Sequence, residues 1–71
     1  MKILVFKTNV QQQEQVNRVK ALLQPVLSIV DWNFDLSDRD RILRVVTHGL
    51  PPRFIESLLE TSGLYCQELE D

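Results

Sequence analysis

The sequence predicts a small α+β domain of the ferredoxin-like βαββαβ kind, with a four-stranded antiparallel sheet and two helices on one face. Three observations carry this. Residues 30–36, Val30-Asp31-Trp32-Asn33-Phe34-Asp35-Leu36, alternate apolar and polar without a break, the signature of a half-buried strand. Val16, Val19, Leu22, Leu23 and Val26 recur at steps of three and four, which gives a helix one apolar stripe. The order of elements read along the chain is strand, helix, strand, strand, helix, strand, and right-handed crossovers then give the split β-α-β arrangement.

Ile3 to Thr8 is apolar, rich in β-formers and lacks helical period, so it reads as the first strand. The glutamines Gln11-Gln12-Gln13 lead into the first helix, with Arg18 and Lys20 on its wet side, and Pro25 ends or kinks it because proline lacks an N–H and clashes with the preceding turn. The second strand, from Val30 to Leu36, places Val30, Trp32, Phe34 and Leu36 on one face and Asp31, Asn33 and Asp35 on the other. Ser37-Asp38-Arg39-Asp40 is a polar turn. Arg41 to His48 reads as the third strand, with Leu43, Val45 and Thr47 on one face and Ile42, Arg44, Val46 and His48 on the other. Gly49 and Pro51-Pro52 break that strand, and proline suits the first turn of the helix that follows. Ile55, Leu58 and Leu59 form its stripe with Phe54 at the edge, and Gly63 is a C-terminal stop. Leu64 to Leu69 is a shorter fourth strand, followed by an acidic tail. The first and third strands are expected at the centre of the sheet.

The chain has 71 residues, of which 44% are hydrophobic and 25% charged. That suffices for one folded unit spanning residues 1–71, without repeats or linkers. A chain this short buries only about 60% of its unfolded surface. The core must therefore be tightly organised, or a partner must help. The net charge of -2 argues against a nucleic-acid binder, which would carry a basic stripe. One cysteine, Cys66, forms no internal disulfide and suits a reducing compartment. The start Met1-Lys2-Ile3-Leu4-Val5-Phe6-Lys7 is signal-like, but its apolar run is short and no small-residue cleavage site follows. No stretch approaches the ~18 apolar residues of a membrane span. The expectation is a soluble cytoplasmic protein.

The sequence resembles the heavy-metal-associated domain of copper chaperones and metal-transporting ATPases over nearly its whole length. Gln15-Val16-Asn17-Arg18-Val19 is similar to the start of that family's first helix. Residues 30–36 with Leu43-Arg44-Val45 are similar to its central hairpin. Leu50-Pro51-Pro52, the second helix and Ser62-Gly63-Leu64-Tyr65 are similar to its final third. The resemblance implies the ferredoxin-like fold and a site for a soft ion such as Cu(I), held by a Cys-x-x-Cys pair with a methionine nearby. Here Asn9 and Gln12 stand at the two cysteine positions and Lys7 falls near the methionine, and no cysteine precedes Cys66. An amide is a poor ligand for a soft cation. The expectation is therefore a degenerate metal site, no catalysis and no cofactor. The alternative is Cu(I) or Zn(II) at an unconventional site that includes Cys66, which the resemblance places near the metal-loop end and which two chains would supply together.

Other readings are weaker. Cys66 also reads as a small apolar core residue. His48 lies at the strand end opposite the vestigial loop, without a second ligand. Asp31, Asp35, Asp38 and Asp40 lack the spacing of an oxygen-ligand calcium loop; they and the tail residues Glu68, Glu70 and Asp71 read as wet surface. There is no Gly-rich phosphate loop and no nucleophile-and-base constellation. Acylphosphatases share the fold and use a first-loop arginine with a strand asparagine; here no arginine precedes Arg18, and Asn33 stands alone. RNA-recognition domains stack bases on aromatics of the central strands, where this chain has only Phe6. What remains is the sheet face turned away from the helices. Ile42 and Val46 are expected there beside Ile3 and Val5, with Tyr65 extending the patch from the edge. A contiguous exposed apolar patch marks an interface, so the expected partner is another protein or a second copy of the chain, with no nucleic acid and no membrane.

Overall fold

The computed structural model describes residues 1–69. Its elements run β1 (Lys2–Thr8), α1 (Gln13–Leu23), β2 (Ile29–Asp35), β3 (Ile42–Thr47), α2 (Pro52–Glu60) and β4 (Cys66–Glu68). The strands form one sheet in the order β2-β3-β1-β4, and all three pairings are antiparallel. β1 and β3 lie at the centre, as the sequence predicts. The tail residues Glu70 and Asp71 lie outside the described residues.

Strand pleating sends alternate side chains to opposite faces, and the register shows which side faces the helices. Leu4 pairs with Val45 and Phe6 with Leu43; Trp32 and Phe34 join the same two rows from β2. These rows meet Val19 and Leu23 of α1 and Ile55 and Leu59 of α2 in one buried cluster, with Val10, Leu64 and Cys66 closing its end. Trp32 and Phe34 meet edge to face, with ring centroids 6.0 Å apart.

Two buried threonines end the central strands. Thr8 donates its hydroxyl to the Arg41 carbonyl at 2.7 Å and accepts the Val10 N–H. Thr47 donates to the Ser28 carbonyl at 2.9 Å and accepts the N–H groups of Gly49 and Leu50. Each hydroxyl thus satisfies backbone groups where the chain leaves the sheet for a helix, removing the desolvation cost that an unpaired buried group would carry.

Four expectations need correction. The unbroken alternation from Val30 does not continue through the start of β2. Ile29 pairs with Thr47 and Asp31 with Val46, so Val30 is an extra residue in a β-bulge and is 51% exposed. Ile29, not Val30, packs against the core. β3 begins at Ile42 because Arg41 takes φ 49°, a left-handed conformation outside strand geometry. β4 spans only Cys66–Glu68, since the preceding residues are used to end α2. Ile42 was expected to be exposed on the open face, yet only 6% of it is accessible. It pairs with Asp35, and the returning loop 36–41 encloses that end of β3. The Arg41 guanidinium donates to the Leu36 carbonyl at 2.8 Å, and the Asp40 carbonyl accepts the Thr8 N–H.

Gly63 closes α2. Its N–H donates to the Glu60 carbonyl, the Leu64 N–H donates to the Leu59 carbonyl, and its φ is +83°. This is the left-handed helix stop that glycine adopts without strain. Gly49 has no positive φ and only open space where a Cβ would stand. Gly63→Ala is expected to lower unfolding free energy by about 1 kcal/mol. Gly49→Ala is expected to stay within about 0.5 kcal/mol of the parent. Urea titration of both variants checks the contrast.

Candidate functional site

Two loops meet at one end of the sheet, and their residues are those the sequence singles out. β1 pairs with β4 so that Thr8 stands opposite Cys66. The chain turning from β1 into α1 therefore lies beside the chain turning from α2 into β4. His48 follows Thr47, which pairs with Lys2 at the opposite end of the sheet. The histidine and the cysteine are thus separated by the length of the strands.

Asn9 bridges the two loops. Its side-chain oxygen accepts the Tyr65 N–H at 3.0 Å. Gln12 precedes α1, and its carbonyl accepts the first helical bonds from Gln15 and Val16. The Gln15 amide oxygen in turn accepts the N–H groups of Gln11 at 2.7 Å and Gln12 at 3.1 Å. A glutamine at this helical position satisfies N–H groups that have no partner within the helix. Lys7 pairs with Gln67 and belongs to the opposite sheet face from Thr8 and Cys66, so its ammonium is directed away from the core.

Cys66 is 5% exposed and packs in the core cluster. Burial, with the negative charges of Glu56 and Glu60 behind it, pushes its thiol up from 9.0 to about 12. At neutral pH the thiolate population is then about a thousandfold below that of an ordinary cysteine. Among the described residues no three His, Cys, Asp or Glu side chains gather as a set of metal ligands.

The open sheet face holds the expected patch residues in altered form. Ile3 is 67% exposed and Tyr65 46%, while Ile42 is buried; Val5 and Val46 are half-buried by their neighbours. Tyr65 donates its hydroxyl to the Gln67 side chain on the β4 edge. Val46 pairs with Ile3, whereas Val5 stands opposite the charged Arg44. Asp31 and Asn33 stand beside Val46 and Arg44 from β2.

Sequence reasoning missed the Thr8 and Thr47 anchors, the fully buried Val10 and the double acceptor Gln15. The threonines did leave a signal, since a hydroxyl residue at a strand end before a turn commonly bonds nearby backbone.

No protein-family model matches the chain, and no curated protein does. Solved structures match along nearly its full length. The copper(I)-loaded first domain of the human copper chaperone for SOD1 is 29% identical, with 93% of this chain and 89% of that one covered at a TM-score of 0.78. The yeast copper transporter domain Ccc2a, studied in apo and Cu(I)-loaded states, aligns with 100% of this chain and 99% of its own at a TM-score of 0.84 and 14% identity. The apo heavy-metal-associated domain of a copper chaperone for superoxide dismutase is 28% identical, with 96% of this chain and 66% of that one covered at a TM-score of 0.79. The chain has the heavy-metal-associated domain fold.

The donor set at the two loops does not fit a soft cation. The Asn9 oxygen is engaged by a backbone N–H, amide oxygens are hard donors, and Cu(I) selects thiolates and thioethers. The one thiol is held protonated inside the core. Cys66 is accordingly expected to react with iodoacetamide at pH 8 at least about a hundredfold slower in the folded chain than in urea, given its thousandfold smaller thiolate population. Mass spectrometry of timed samples measures the ratio.

Proposed function

We propose that this protein is a non-catalytic interaction module of the cytoplasm, a relative of the heavy-metal-associated domains in which the metal loop has become a structural turn. The observation that carries the reading is the Asn9 bridge. Its bond to the Tyr65 N–H joins the same two loops that the family resemblance places at a metal. A hydrogen bond of this kind contributes on the order of 1 kcal/mol and needs no ion. Gln12 and Gln15 complete the turn with backbone bonds of their own.

With the described residues 1–69 folded around a core on the helix side of the sheet, the opposite sheet face is available for binding another protein. Among the described residues no helix is long and apolar enough to cross a membrane. The net charge of -2 does not suit a phosphate backbone.

Native mass spectrometry of the reduced chain with added Cu(I) or Zn(II) is the deciding measurement, and a metal-free species is expected. One metal per monomer or per dimer, lost in Cys66→Ser, would replace this reading with metal handling at an unconventional site. The double substitution Asn9→Cys with Gln12→Cys is expected to create stoichiometric Cu(I) uptake, because the scaffold around the loop is that of Cu(I)-loaded domains. Failure of that variant to take copper while folded would show that more than the two ligands has been lost.

A further inference from the structure

We infer that β4 is a latched strap: it opens as a unit of its own, ahead of the rest of the sheet, and the Glu56 side chain on α2 is the latch that holds it shut. The strap itself is held by little. β4 lies at one edge of the sheet and pairs only with β1. It spans three residues, of which Cys66 is buried, Gln67 exposed and Glu68 half-buried. β3, by contrast, is paired on both sides and buries Leu43, Val45 and Thr47 completely. A segment with one-sided pairing and a single buried side chain opens at a lower free energy than such a core strand.

The latch is visible in the direction of the backbone groups. The Leu69 N–H donates to the Val5 carbonyl at 2.8 Å. Successive N–H groups of a strand point to opposite sides, so the Glu68 N–H is turned away from β1, toward the free edge. No strand meets it there. Glu56 does: its Oε2 accepts the Glu68 N–H at 2.8 Å. A carboxylate makes this a charge-assisted bond, stronger than one between neutral groups. The Glu56 side chain is only 16% exposed, and its other oxygen lies 3.6 Å from the Arg53 guanidinium. The neighbouring Ile55 and the nearby Leu59 are fully buried in the main core, so the latch is anchored on an element that stays in place when β4 moves.

The near end of the strap is pinned separately. Asn9 accepts the Tyr65 N–H, and the helix stop at Gly63 is closed by its own backbone bonds. Opening therefore begins after Tyr65 and frees β4 without disturbing the end of α2. It uncovers the Cys66 thiol together with the outer edge of β1 from Phe6 to Thr8, the residues that β4 covers. The Glu56 bond thus sets how often both are offered to solvent.

Amide hydrogen exchange of the full reduced chain, followed residue by residue by NMR across a series of urea concentrations below the unfolding transition, tests the inference. Local opening exposes little surface and global unfolding exposes much, so the two differ in their response to urea. The N–H groups of Gln67 and Leu69, which face β1, are expected to exchange faster than the protected amides of β3 and to change little with urea, while those of β3 accelerate steeply. Glu56→Ala is expected to speed exchange at Gln67 and Leu69 by about tenfold, the scale of one lost bond to a charged group. Glu56→Gln keeps an oxygen that accepts the Glu68 N–H and is expected to stay within about threefold of the parent, since most of the bond survives. Glu60→Ala, which removes the other carboxylate beside Arg53 but no bond to β4, is expected to leave both amides unchanged. If the β4 amides accelerate with urea as steeply as those of β3, β4 opens only with the whole fold and the strap is overturned. If Glu56→Ala leaves their exchange unchanged, the latch is overturned. A Glu56→Ala chain that unfolds altogether also overturns the inference, because Glu56 then holds the whole fold and not one strand.

Discussion

The structure depends on burying two helices against one face of a four-stranded sheet. The side chains that do this come from alternate positions of the strands: Leu4 and Phe6, Leu43 and Val45, Trp32 and Phe34. Their counterparts on the helices are Val19, Leu23, Ile55 and Leu59. With 71 residues there is material for one such layer interface and none for a second, because a small chain has too little interior to distribute. Every other feature follows from where that layer ends. Thr8 and Thr47 mark the points at which the two central strands leave it. Their hydroxyls do similar work: each caps a turn into a helix while donating to a carbonyl from a distant part of the chain. The two halves of the fold are thus terminated by similar chemistry.

The turn from β1 into α1, which the family resemblance places at a metal, is held by the same logic. A loop at the end of a two-layer core has backbone groups that need partners and a position that needs fixing. A bound ion supplies both by drawing ligands together. In this chain the Asn9 side chain fixes the position by reaching Tyr65, and Gln15 supplies partners by accepting two N–H groups. Cys66 packs in the core cluster as a buried residue. Its raised thiol pKa follows from that packing. The neutral thiol tolerates the apolar surroundings and the nearby carboxylates of α2, whereas a thiolate would be penalised by both.

Much of this was legible in the sequence because periodicity reports burial directly. The third strand's Leu43, Val45 and Thr47 face the helices as their spacing predicts, and both helical stripes do the same. The departures occur where local backbone geometry breaks the period. A bulge at Val30 shifts the phase of β2, and nothing in the alternating pattern distinguishes Ile29 from Val30 as the inward residue. A left-handed Arg41 shortens β3, though arginine carries no signal for that conformation. Ile42 is covered by a loop whose return depends on bonds between Arg41, Leu36, Asp40 and Thr8, contacts that no local pattern encodes. At the site, the missing cysteines were readable at once. The Asn9 bridge was not, because it joins residues 56 positions apart.

The open face raises a question that strand propensity answers only in part. Ile3, Val5 and Val46 are β-branched, so they favour strands whether or not anything covers them. Asp31, Asn33 and Asp35 are disfavoured in strands, yet they occupy the open side of β2 in succession. Local needs account for some of this. Asp31 accepts the Trp32 N–H, and Asp35 accepts from the Ser37 hydroxyl and N–H, bonds that hold the Asp35 carboxyl below its usual pKa. The bonds at Asp35 favour its ionised form without neutralising its charge. An acidic outer strand repels the same strand of another copy, which discourages edge-to-edge growth of the sheet. Arg44 of the neighbouring β3 pairs with Asn33, between the two carboxylates, and adds a smaller electrostatic contribution to the lowering at Asp35. The position of these carboxylates on β2 is therefore informative where the aliphatic residues alone would not be, since it joins local turn bonding to a charge that opposes strand addition at that edge.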